Sequence, residues 1–377
     1  MPERLTTRTS ITGAGVWHPP TVLDNTELCI AFNEFVRRDN ARNAEAIAAG
    51  SREALRESSP EFIVKASGIE RRYVEDKSGL IDPDRMCPNI PERPPEQLSL
   101  QAEYAVNAAR AALAQAGRVG EDVDLVICGA ACLQRSYPAI AIEVQDAIGA
   151  MGHGFDVSLG CSTGVQALQL ASHALQLGQA RCALVVLPEL NSPHLNWRDR
   201  DSHFILGDAS VAMVLESTDR ARAGAWEIRS TKMASKWSNT IRNNFGFTNR
   251  CDPSTRDAPD KLFHQQGRRV FKDVVPMAEK FVLETIAQHG LEPAQIDRYW
   301  LHQANQNMND LIAKRVLGRD ATAEEAPLVL AEYGNTASAG SLIAFTLRET
   351  DLPAGSIGVM CAFGAGYSLG SLVLQRS

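Results

Sequence analysis

The sequence predicts an α/β fold with two similar halves. Short apolar segments of strand length alternate with longer segments of helical periodicity, and this alternation is typical of parallel sheets covered by helices. The rhythm runs through residues 1–220 and is repeated in residues 221–377, with the join near residues 216–225. A chain of 377 residues is long enough to form both halves.

Each predicted element rests on its own pattern. Continuous apolar runs predict buried strands, which cover residues 10–17, 124–128, 182–187 and 209–215 in the first half and residues 298–301, 357–361 and 370–374 in the second. Apolar residues at helical spacing predict helices over residues 95–115, 137–148, 164–178, 271–289, 308–317 and 335–349. Strands and helices therefore alternate through most of the chain.

Two segments of the first half interrupt this alternation. Residues 30–60 are charged and rich in Ala and Glu, and we predict them to be helical. Residues 75–95 contain five prolines, which predict an extended loop on the surface. We interpret both as insertions, and three roles remain open for them: capping a tunnel, widening an interface, or ordinary surface decoration.

The composition narrows the class of protein. A hydrophobic content of 44% and a charged content of 22% are typical of soluble globular domains, and a net charge of −7 argues against nucleic acid as the main partner. No apolar run reaches the ~18 residues of a membrane helix, and the first residues lack the apolar core of a signal peptide. Eight cysteines without a CxxC pair argue against a metal site or a disulfide framework. We therefore expect no membrane insertion and a cytoplasmic location.

Cys161 is the first candidate for a chemical role. It lies between an apolar segment and a predicted helix, with Gly160 and Gly164 on either side to permit a tight turn. The thiolate is the nucleophilic form of cysteine, and the free amides and dipole of a helix start are expected to lower the pKa of the thiol. The alternative is a buried core cysteine. The small residues around Cys161 favour a reaction site.

His302 and Asn335 are two further candidates. His302 follows the apolar run 299–301 at the carboxyl end of a predicted strand, which is where open parallel sheets place ligands. The polar residues that follow it, at 303 and 305–307, argue against simple core packing. Asn335 lies between Gly334 and Thr336, where it can serve as a helix N-cap as readily as a site residue.

Together these three residues resemble the catalytic Cys-His-Asn triad of the thiolase-fold condensing enzymes, specifically β-ketoacyl-acyl-carrier-protein synthase III. The resemblance covers nearly the whole chain and includes the segments 67–72, 139–145, 205–209 and 362–370. It implies a thiolase fold, in which two thiolase-like halves give a layered αβαβα architecture, and it implies a homodimer. It also implies acyl-CoA or acyl-carrier thioesters as substrates, acyl carrier protein as a partner, and no permanently bound cofactor.

The resemblance further implies a reaction, a decarboxylative condensation. Cys161 accepts an acyl group as a thioester. His302 and Asn335 donate hydrogen bonds to the carbonyl oxygen of a malonyl or 3-oxoacyl thioester on acyl carrier protein while carbon dioxide leaves, and the resulting carbanion attacks the acyl-cysteine to give a β-ketoacyl product. The amides of Cys161 and Ala365 are expected to form the oxyanion hole. Phe363 matches the phenylalanine that packs beside the cysteine.

The residues that match the acyl pocket and the CoA site depart from the acetyl-CoA-primed members of the family. Tyr137 matches the position whose aromatic side chain closes the acyl pocket across the dimer. Phe62 and Ala66 stand where those members have a tryptophan and an arginine for the CoA adenine, and Arg200 matches a second arginine that contacts CoA. An acyl carrier protein is therefore an alternative acyl donor, and a medium-chain starter is an alternative to acetyl.

Acyl carrier proteins are acidic, so a basic patch is expected at the mouth of the tunnel. The candidates are Arg268, Arg269, Lys272 and Lys314, together with Lys261 and Arg315. A solvated charged face is the alternative interpretation of these residues.

Three other functions compete with the condensing enzyme. A thiolase needs a second cysteine where Phe363 stands, and Cys361 lies two residues earlier, too far along a strand to replace it. An acyltransferase of the same fold that forms no carbon–carbon bond is the second, and a non-catalytic acyl-binding protein is the third. The presence of all three triad residues favours the condensing enzyme.

Overall fold

The computed structural model describes residues 8–377, which form ten α-helices and thirteen strands, numbered here in chain order. The helices are α1 (Asn25–Arg42), α2 (Ala44–Ala48), α3 (Pro60–Ser67), α4 (Leu100–Ala116), α5 (Ile140–Ile148), α6 (Thr163–Gln176), α7 (Gly267–Ala287), α8 (Gln306–Leu317), α9 (Leu330–Tyr333) and α10 (Gly340–Arg348). The strands are β1 (Thr9–Trp17), β2 (Val22–Asp24), β3 (Arg71–Tyr73), β4 (Leu125–Gly129), β5 (His153–Val157), β6 (Cys182–Glu189), β7 (Ala209–Ser217), β8 (Trp226–Ser238), β9 (Ile241–Arg242), β10 (His264–Gln265), β11 (Arg298–Leu301), β12 (Ile357–Gly364) and β13 (Gly366–Arg376).

Nine of these strands form one continuous sheet in the order β11-β12-β13-β8-β1-β7-β6-β4-β5. The strands that lie before residue 220 are neighbours in this order, and so are those that lie after it. The two groups meet where Thr9–Ile11 of β1 pairs with Trp226–Ile228 of β8. This grouping fits the two predicted halves, although the domain boundary near residue 220 stays a prediction.

The sheet is mixed, so the parallel pairing expected from the alternation of strands and helices holds for only part of it. Only β4 with β5, β4 with β6, and β11 with β12 run parallel, and the remaining neighbours of the large sheet are antiparallel. A parallel pair needs a long crossover, usually a helix. No α-helix separates β6 from β7, and only Ala365 separates β12 from β13, so these strands return antiparallel.

Helices occupy three layers around the two groups of strands. Helices α6 and α10 lie between the groups and share one apolar core with strands of both. Helices α4 and α5 cover the outer face of the first group, and α7 and α8 cover the outer face of the second. The structure therefore has the layered αβαβα arrangement that the resemblance implies.

Two helices, α4 and α10, begin five residues later than predicted, and an N-cap explains the start of α4. The helix predicted from residue 95 begins at Leu100, because Ser99 accepts a hydrogen bond from the Ala102 N–H as an N-cap and the preceding prolines stay outside. The helix predicted over residues 335–349 begins instead as a 3₁₀ turn, Ala337–Ala339, and becomes α-helical only at Gly340.

The two predicted insertions contribute side chains to one apolar cluster. In the first, α1 and α2 are helical, and residues 49–59 are not. In the second, residues 75–95 form no helix or strand, as predicted. Apolar side chains from both segments pack with the segment that precedes β7; they are Phe32, Val36, Leu80, Met86, Leu195, Trp197 and Phe204. Both insertions therefore form part of a buried apolar cluster and are more than surface decoration.

No helix in residues 8–377 combines the length and the apolar character needed to cross a membrane.

Candidate active site

Cys161, His302 and Asn335 meet at one large cavity. Its volume is about 1270 Å³, and both groups of strands and helices contribute to its lining. Cys161 reaches it from the start of α6, His302 from the end of β11, and Asn335 from the segment after α9. The structure thus brings together three residues that are as much as 174 positions apart in the sequence.

A tight turn between β5 and α6 presents Cys161 to the cavity. Gly160 has a φ of 55°, a left-handed conformation that favours glycine. The hydroxyl of Thr163 donates a hydrogen bond to the Gly160 carbonyl oxygen at 2.6 Å and accepts one from the Leu159 N–H at 2.7 Å. Gly364 closes the other side, where a β-carbon would lie 2.6 Å from the Cys161 Cβ and 3.1 Å from its Sγ. The turn and Gly364 together fix the thiol against the β12–β13 hairpin.

The electrostatic environment of Cys161 is the reverse of the one predicted. The thiol is open to the cavity but enclosed by protein elsewhere, and this burial raises its pKa to about 12. The nearby Glu189 carboxylate raises the pKa as well, whereas the amides of Ala365 and of Cys161 itself lower it. The prediction of a lowered pKa was wrong because desolvation outweighs the helix start, and Thr163 is the first helical residue. Both amides that are expected to form the oxyanion hole lower the pKa of the Cys161 thiol.

His302 is held as a buried, neutral ring. Its backbone N–H donates to the Cys361 carbonyl oxygen at 2.8 Å, which extends the pairing of β11 with β12. The residue is only 2% exposed, and burial lowers the pKa of the imidazole to about 4. Within residues 8–377, Nδ1 has no hydrogen-bond partner. Phe363 packs edge-to-face on the ring, with 5.3 Å between the ring centres. The other ring nitrogen, Nε2, is therefore the one available to the cavity.

The polar residues after His302 have structural roles that the sequence did not reveal. Gln303 is fully buried, donates to the Leu301 carbonyl oxygen at 2.8 Å and accepts from the Val329 N–H at 2.9 Å. Asn305 caps α8 and also donates to the Ala66 carbonyl oxygen at 2.5 Å. These contacts join the His302 strand end to α8 and α3.

Backbone hydrogen bonds fix Asn335 in place, and the backbone of Ala337 orients its side chain. Its backbone N–H donates to the Ile205 carbonyl oxygen at 2.9 Å, and its carbonyl oxygen accepts from the Gly207 N–H at 3.1 Å. The side-chain Oδ1 accepts from the Ala337 N–H at 2.9 Å, so Nδ2 remains as a donor toward the cavity. Ala337 has a φ of 46°, which is strained for a residue with a β-carbon. Asn335 therefore caps a turn and presents a donor at the same time.

Glu189 is a buried charged residue beside the site that the predicted set does not include. It ends β6 and has no exposed surface. Burial raises the pKa of its carboxyl to about 7. The sequence does carry a signal for it, since a carboxylate ends the otherwise apolar run 182–188. Charged residues are almost never fully buried unless they are paired, so an isolated carboxylate in a buried strand indicates a group with specific partners.

The residues assigned to the acyl pocket lie in two different places. Phe363 lines the cavity and is 3% exposed. Tyr137 does not line the cavity and is 84% exposed, so the chain by itself does not bring it to the site. Cys132 and Leu133, a few residues earlier, line the cavity in its place. The role of Tyr137 across a dimer stays a prediction.

Phe62 and Arg200 lie together near the mouth of the cavity. The Arg200 guanidinium stacks over the Phe62 ring, 3.9 Å from its centre, and its Nε donates to the Glu57 carbonyl oxygen at 2.7 Å. Phe62 and Ala66 line the cavity. Arg200 itself does not line it, and the role of the stacked pair in holding CoA stays a prediction.

The predicted basic patch is only partly at the cavity. Arg268 and Arg269, in the first turn of α7, are exposed and line it. Lys272 is exposed but does not line it. Lys314 does not line it either and pairs with Asp320 at 2.9 Å. Of the two secondary candidates, Arg315 pairs with Glu279 at 3.1 Å and Lys261 lies in the 3₁₀ turn Pro259–Lys261, outside the lining. Carrier binding by these residues stays a prediction.

Two other chemistries find little support in residues 8–377. Cys361 is fully buried and does not line the cavity, so a second thiol of the thiolase type is not in place there. In that same range, no three His, Cys, Asp or Glu side chains are grouped to hold a metal ion.

Comparison with known proteins gives concordant family matches. The family model for 3-oxoacyl-[acyl-carrier-protein] synthase III matches residues 155–236, and the model for its C-terminal part matches residues 286–376. The chain is 52% identical over 347 residues to a beta-ketodecanoyl-[acyl-carrier-protein] synthase of Pseudomonas aeruginosa, covering 92% of this chain and 99% of the relative. It is 29% identical over 322 residues to a beta-ketoacyl-[acyl-carrier-protein] synthase III of Clostridium perfringens, covering 85% and 91%.

Solved structures agree on the fold. The crystal structure of 3-oxoacyl-(acyl carrier protein) synthase III from Pseudomonas aeruginosa PAO1 superimposes with a TM-score of 0.76 at 23% identity and covers 98% of both chains. The enzyme of the same description from Aquifex aeolicus VF5 gives 0.75 at 24% identity, covering 97% of this chain and 99% of that one. The thiolase fold predicted from the sequence is confirmed. On the site geometry and these matches, the chain belongs to the 3-oxoacyl-[acyl-carrier-protein] synthase III family of acyl-transferring condensing enzymes.

Proposed function

We propose that this enzyme condenses a medium-chain acyl group, held on Cys161, with a malonyl thioester carried by acyl carrier protein. The observation that carries the proposal is the meeting of a thiol, a neutral imidazole and a free amide donor at one cavity of about 1270 Å³. A relative of 52% identity is described as a beta-ketodecanoyl synthase. A ten-carbon product needs an eight-carbon starter plus the two carbons that remain after malonyl decarboxylation, so the proposed starter is octanoyl.

The reaction divides into two half-reactions. In the first, Cys161 attacks the acyl thioester, the donor thiol leaves, and an acyl-cysteine remains. In the second, the malonyl C–C bond to the carboxylate breaks, carbon dioxide leaves, and the electron pair moves into the enolate. That enolate attacks the acyl-cysteine carbonyl and expels the Cys161 sulfur, giving the β-ketoacyl product. A 3-oxoacyl thioester as the second substrate would instead need a base to remove a proton from C2, whereas decarboxylation of malonyl needs none, so we favour malonyl.

Neutral donors suit the second half-reaction. The enolate oxygen carries negative charge that is absent from the starting thioester, and fixed donors stabilise it selectively. His302 with its pKa near 4 stays neutral at physiological pH, so an Nε2–H can donate without a strong base being present. The free Nδ2 of Asn335 supplies the second donor. The acyltransferase alternative does not require two such donors.

Binding of the two thioesters is proposed from the mouth of the cavity. Arg268 and Arg269 place positive charge there for an acidic carrier protein, with Lys272 and Lys314 farther out. The stacked Phe62 and Arg200 offer a flat surface for a CoA adenine.

A homodimer is proposed from the exposed edge of the sheet. β5 ends the nine-stranded sheet and has only β4 as a neighbour. Apolar side chains near this edge are exposed: Tyr137, Ile142, Met151 and Phe155. An unpaired edge with exposed apolar residues favours pairing with a second copy. In such a dimer Tyr137 would reach the partner's acyl pocket.

The proposed location is the cytoplasm, and the proposed enzyme works without a bound cofactor. All eight cysteines are free thiols, which fits a reducing compartment.

The test is a survey of acyl donors followed by product analysis. The wild-type enzyme is incubated with C2 to C12 acyl groups on CoA and on acyl carrier protein, and the adduct is read by intact mass. We expect an adduct on Cys161 that is formed fastest near eight carbons and that is absent from Cys161→Ala. Malonyl-acyl carrier protein is then added, and a β-ketodecanoyl product is expected. An adduct that persists in Cys161→Ala, or an acylated enzyme that gives no extended product, contradicts the proposal.

A further inference from the structure

The Glu189 carboxylate at the end of β6 contacts two segments beside the cavity, one at Ala131 and one at Ser338. Its Oε1 accepts hydrogen bonds from the Ser338 N–H and the Ala131 N–H, both at 3.0 Å, and from the Ser338 hydroxyl. Its Oε2 lies 3.2 Å from the same Ala131 nitrogen. Ser338 follows Asn335 by three residues, and Ala131 immediately precedes Cys132 in the cavity wall. One side chain therefore ties the segment that follows Asn335 to the segment that precedes Cys132.

The contact with Ser338 reaches Asn335 through a strained residue. Ala337 adopts a φ of 46°, which costs free energy because its β-carbon crowds the backbone. The N–H of Ala337 holds the Oδ1 of Asn335 and so keeps the Asn335 amide group directed into the cavity. Two hydrogen bonds from the next residue, Ser338, to a buried carboxylate fix the backbone in this conformation. Without them, the turn is free to relax and the donor loses its direction.

Glu189 has a second and opposite influence, on Cys161. Its negative charge raises the pKa of the Cys161 thiol and also the pKa values of Cys128 and Cys132. The fourth titratable neighbour is Asp208, whose charge raises the pKa of Glu189 in turn, after the larger effect of burial. With a pKa of about 7, Glu189 is mostly ionised at pH 8. Because the Glu189 carboxylate disfavours the Cys161 thiolate, activation of the nucleophile does not explain its position in the site.

We propose that Glu189 is a positioning residue for the decarboxylation half-reaction, in which its carboxylate holds the Ala337–Ser338 backbone so that Asn335 points at the malonyl thioester. This inference rests on the proposed function, since it assigns Glu189 to one of the two half-reactions. The proposal differs from a general structural role, because it expects removal of the carboxylate to affect the two half-reactions in opposite directions.

The variant Glu189→Gln tests this separation. An amide can place its oxygen at the Oε1 position, but its NH₂ group then lies against the Ala131 N–H, donor against donor, so the side chain must shift and its neutral oxygen holds the Ser338 N–H and hydroxyl less firmly. We expect malonyl decarboxylation to fall about ten- to a hundredfold, because a charge-assisted network is replaced by a mismatched neutral one. Acylation of Cys161 is expected to be unchanged or faster at pH 8, with its pH profile shifted to lower pH, because the charge that opposes the thiolate is gone.

A second substitution isolates the route through Ala337. Glycine adopts a φ of 46° without strain, so Ala337→Gly relieves the conformation that Glu189 holds in place. We expect Glu189→Gln/Ala337→Gly to recover part of the lost decarboxylation rate. The matched control is Glu216→Gln, because Glu216 is another buried carboxylate, 1% exposed, that accepts from Thr12 and Arg118 and lies outside the cavity lining. It should leave the ratio of the two half-reaction rates unchanged.

The measurements are acyl-adduct formation by intact mass and acetyl thioester formation from malonyl-acyl carrier protein, each from pH 6 to 9. Equal losses in both half-reactions, or an unchanged decarboxylation rate in Glu189→Gln, overturn the inference. A double variant that recovers nothing overturns the route through Ala337. If wild-type enzyme neither forms the adduct nor decarboxylates the malonyl thioester, the proposed function itself has failed, and this result is distinct from a failure in Glu189→Gln alone.

Discussion

The free amide group of Asn335 allows a sharp test of how the enolate is stabilised. Oδ1 is already engaged by the Ala337 N–H at 2.9 Å, so Nδ2 is the part of the side chain left for a substrate. Asn335→Asp keeps the shape and the Oδ1 contact and exchanges only that donor for an oxygen. Asn335→Ala removes both atoms. The two variants therefore separate loss of the donor from introduction of a repulsive charge.

The expected loss follows from the number of donors. Removing one preorganised donor from a site of developing oxyanion charge typically lowers the rate about 10²–10³-fold. Asn335→Ala should fall in this range. Asn335→Asp should be slower still, because its carboxylate faces the developing enolate oxygen and like charges repel in a buried site. Acylation of Cys161 should be nearly unaffected in both variants, since the oxyanion hole proposed for that step consists of the backbone amides of Cys161 and Ala365.

Asn243 provides a matched control in the same cavity. Its Oδ1 accepts from the N–H two residues later, that of Phe245, at 2.9 Å, which reproduces the turn made by Asn335 and Ala337. Asn243→Asp adds the same charge to the cavity lining, yet we expect a decarboxylation rate within about threefold of wild type. The assay is acetyl thioester formed from malonyl-acyl carrier protein. Equal losses in Asn243→Asp and Asn335→Asp, or a rate in Asn335→Ala close to wild type, would refute the assigned role.

Two further predictions concern packing and acid stability. Gly364→Ala would place a β-carbon 2.6 Å from the Cys161 Cβ, so the thiol must move, and we expect acylation to slow by about a hundredfold. Gly246→Ala is the control, because Gly246 has open space around it, and it should leave acylation unchanged. The assay is adduct formation, with circular dichroism as a folding check, and unchanged acylation in Gly364→Ala would contradict the prediction. Burial lowers the pKa of His203 to about 4, so folding is favoured above the unfolded pKa of ~6.5 and this advantage is lost as the pH falls toward 4. The difference in unfolding free energy between wild type and His203→Gln should therefore shrink by about 2 kcal/mol between pH 7 and pH 5, measured by denaturant titration, and a constant difference would exclude a neutral buried imidazole.

The sequence predicted most of the elements because their signals are local. Apolar runs identified seven of the nine strands of the large sheet and missed β5 and β8. Residues His153–Val157 of β5 are partly exposed and do not form an apolar run, and β8 is buried only over its first three residues. Strand direction was not local information. It depends on whether the connection crosses the sheet, and the hairpin around Ala365 and the helix-free link from β6 to β7 reversed the expected parallel order.

The candidate site divides in the same way. Cys161, His302 and Asn335 each follow a strand or helix end, so their positions could be inferred and the motifs around them are specific. The pKa of Cys161 could not be inferred, because it depends on burial and on Glu189, which lies 28 residues away in the sequence. Tyr137 could not be placed either, because a role across a dimer requires a second chain.

The electrostatics of the site favour the second half-reaction over the first. Burial raises the pKa of the Cys161 thiol to about 12 and lowers that of the His302 imidazole to about 4, so transfer of the thiol proton to the imidazole is unfavourable. Acylation must therefore draw on groups that act as the thioester reacts, namely the amides of Cys161 and Ala365, which already favour charge on the sulfur. The same burial keeps His302 neutral and leaves fixed donors facing the cavity. Those are the conditions in which an enolate, formed without a base when carbon dioxide leaves, gains most from being held.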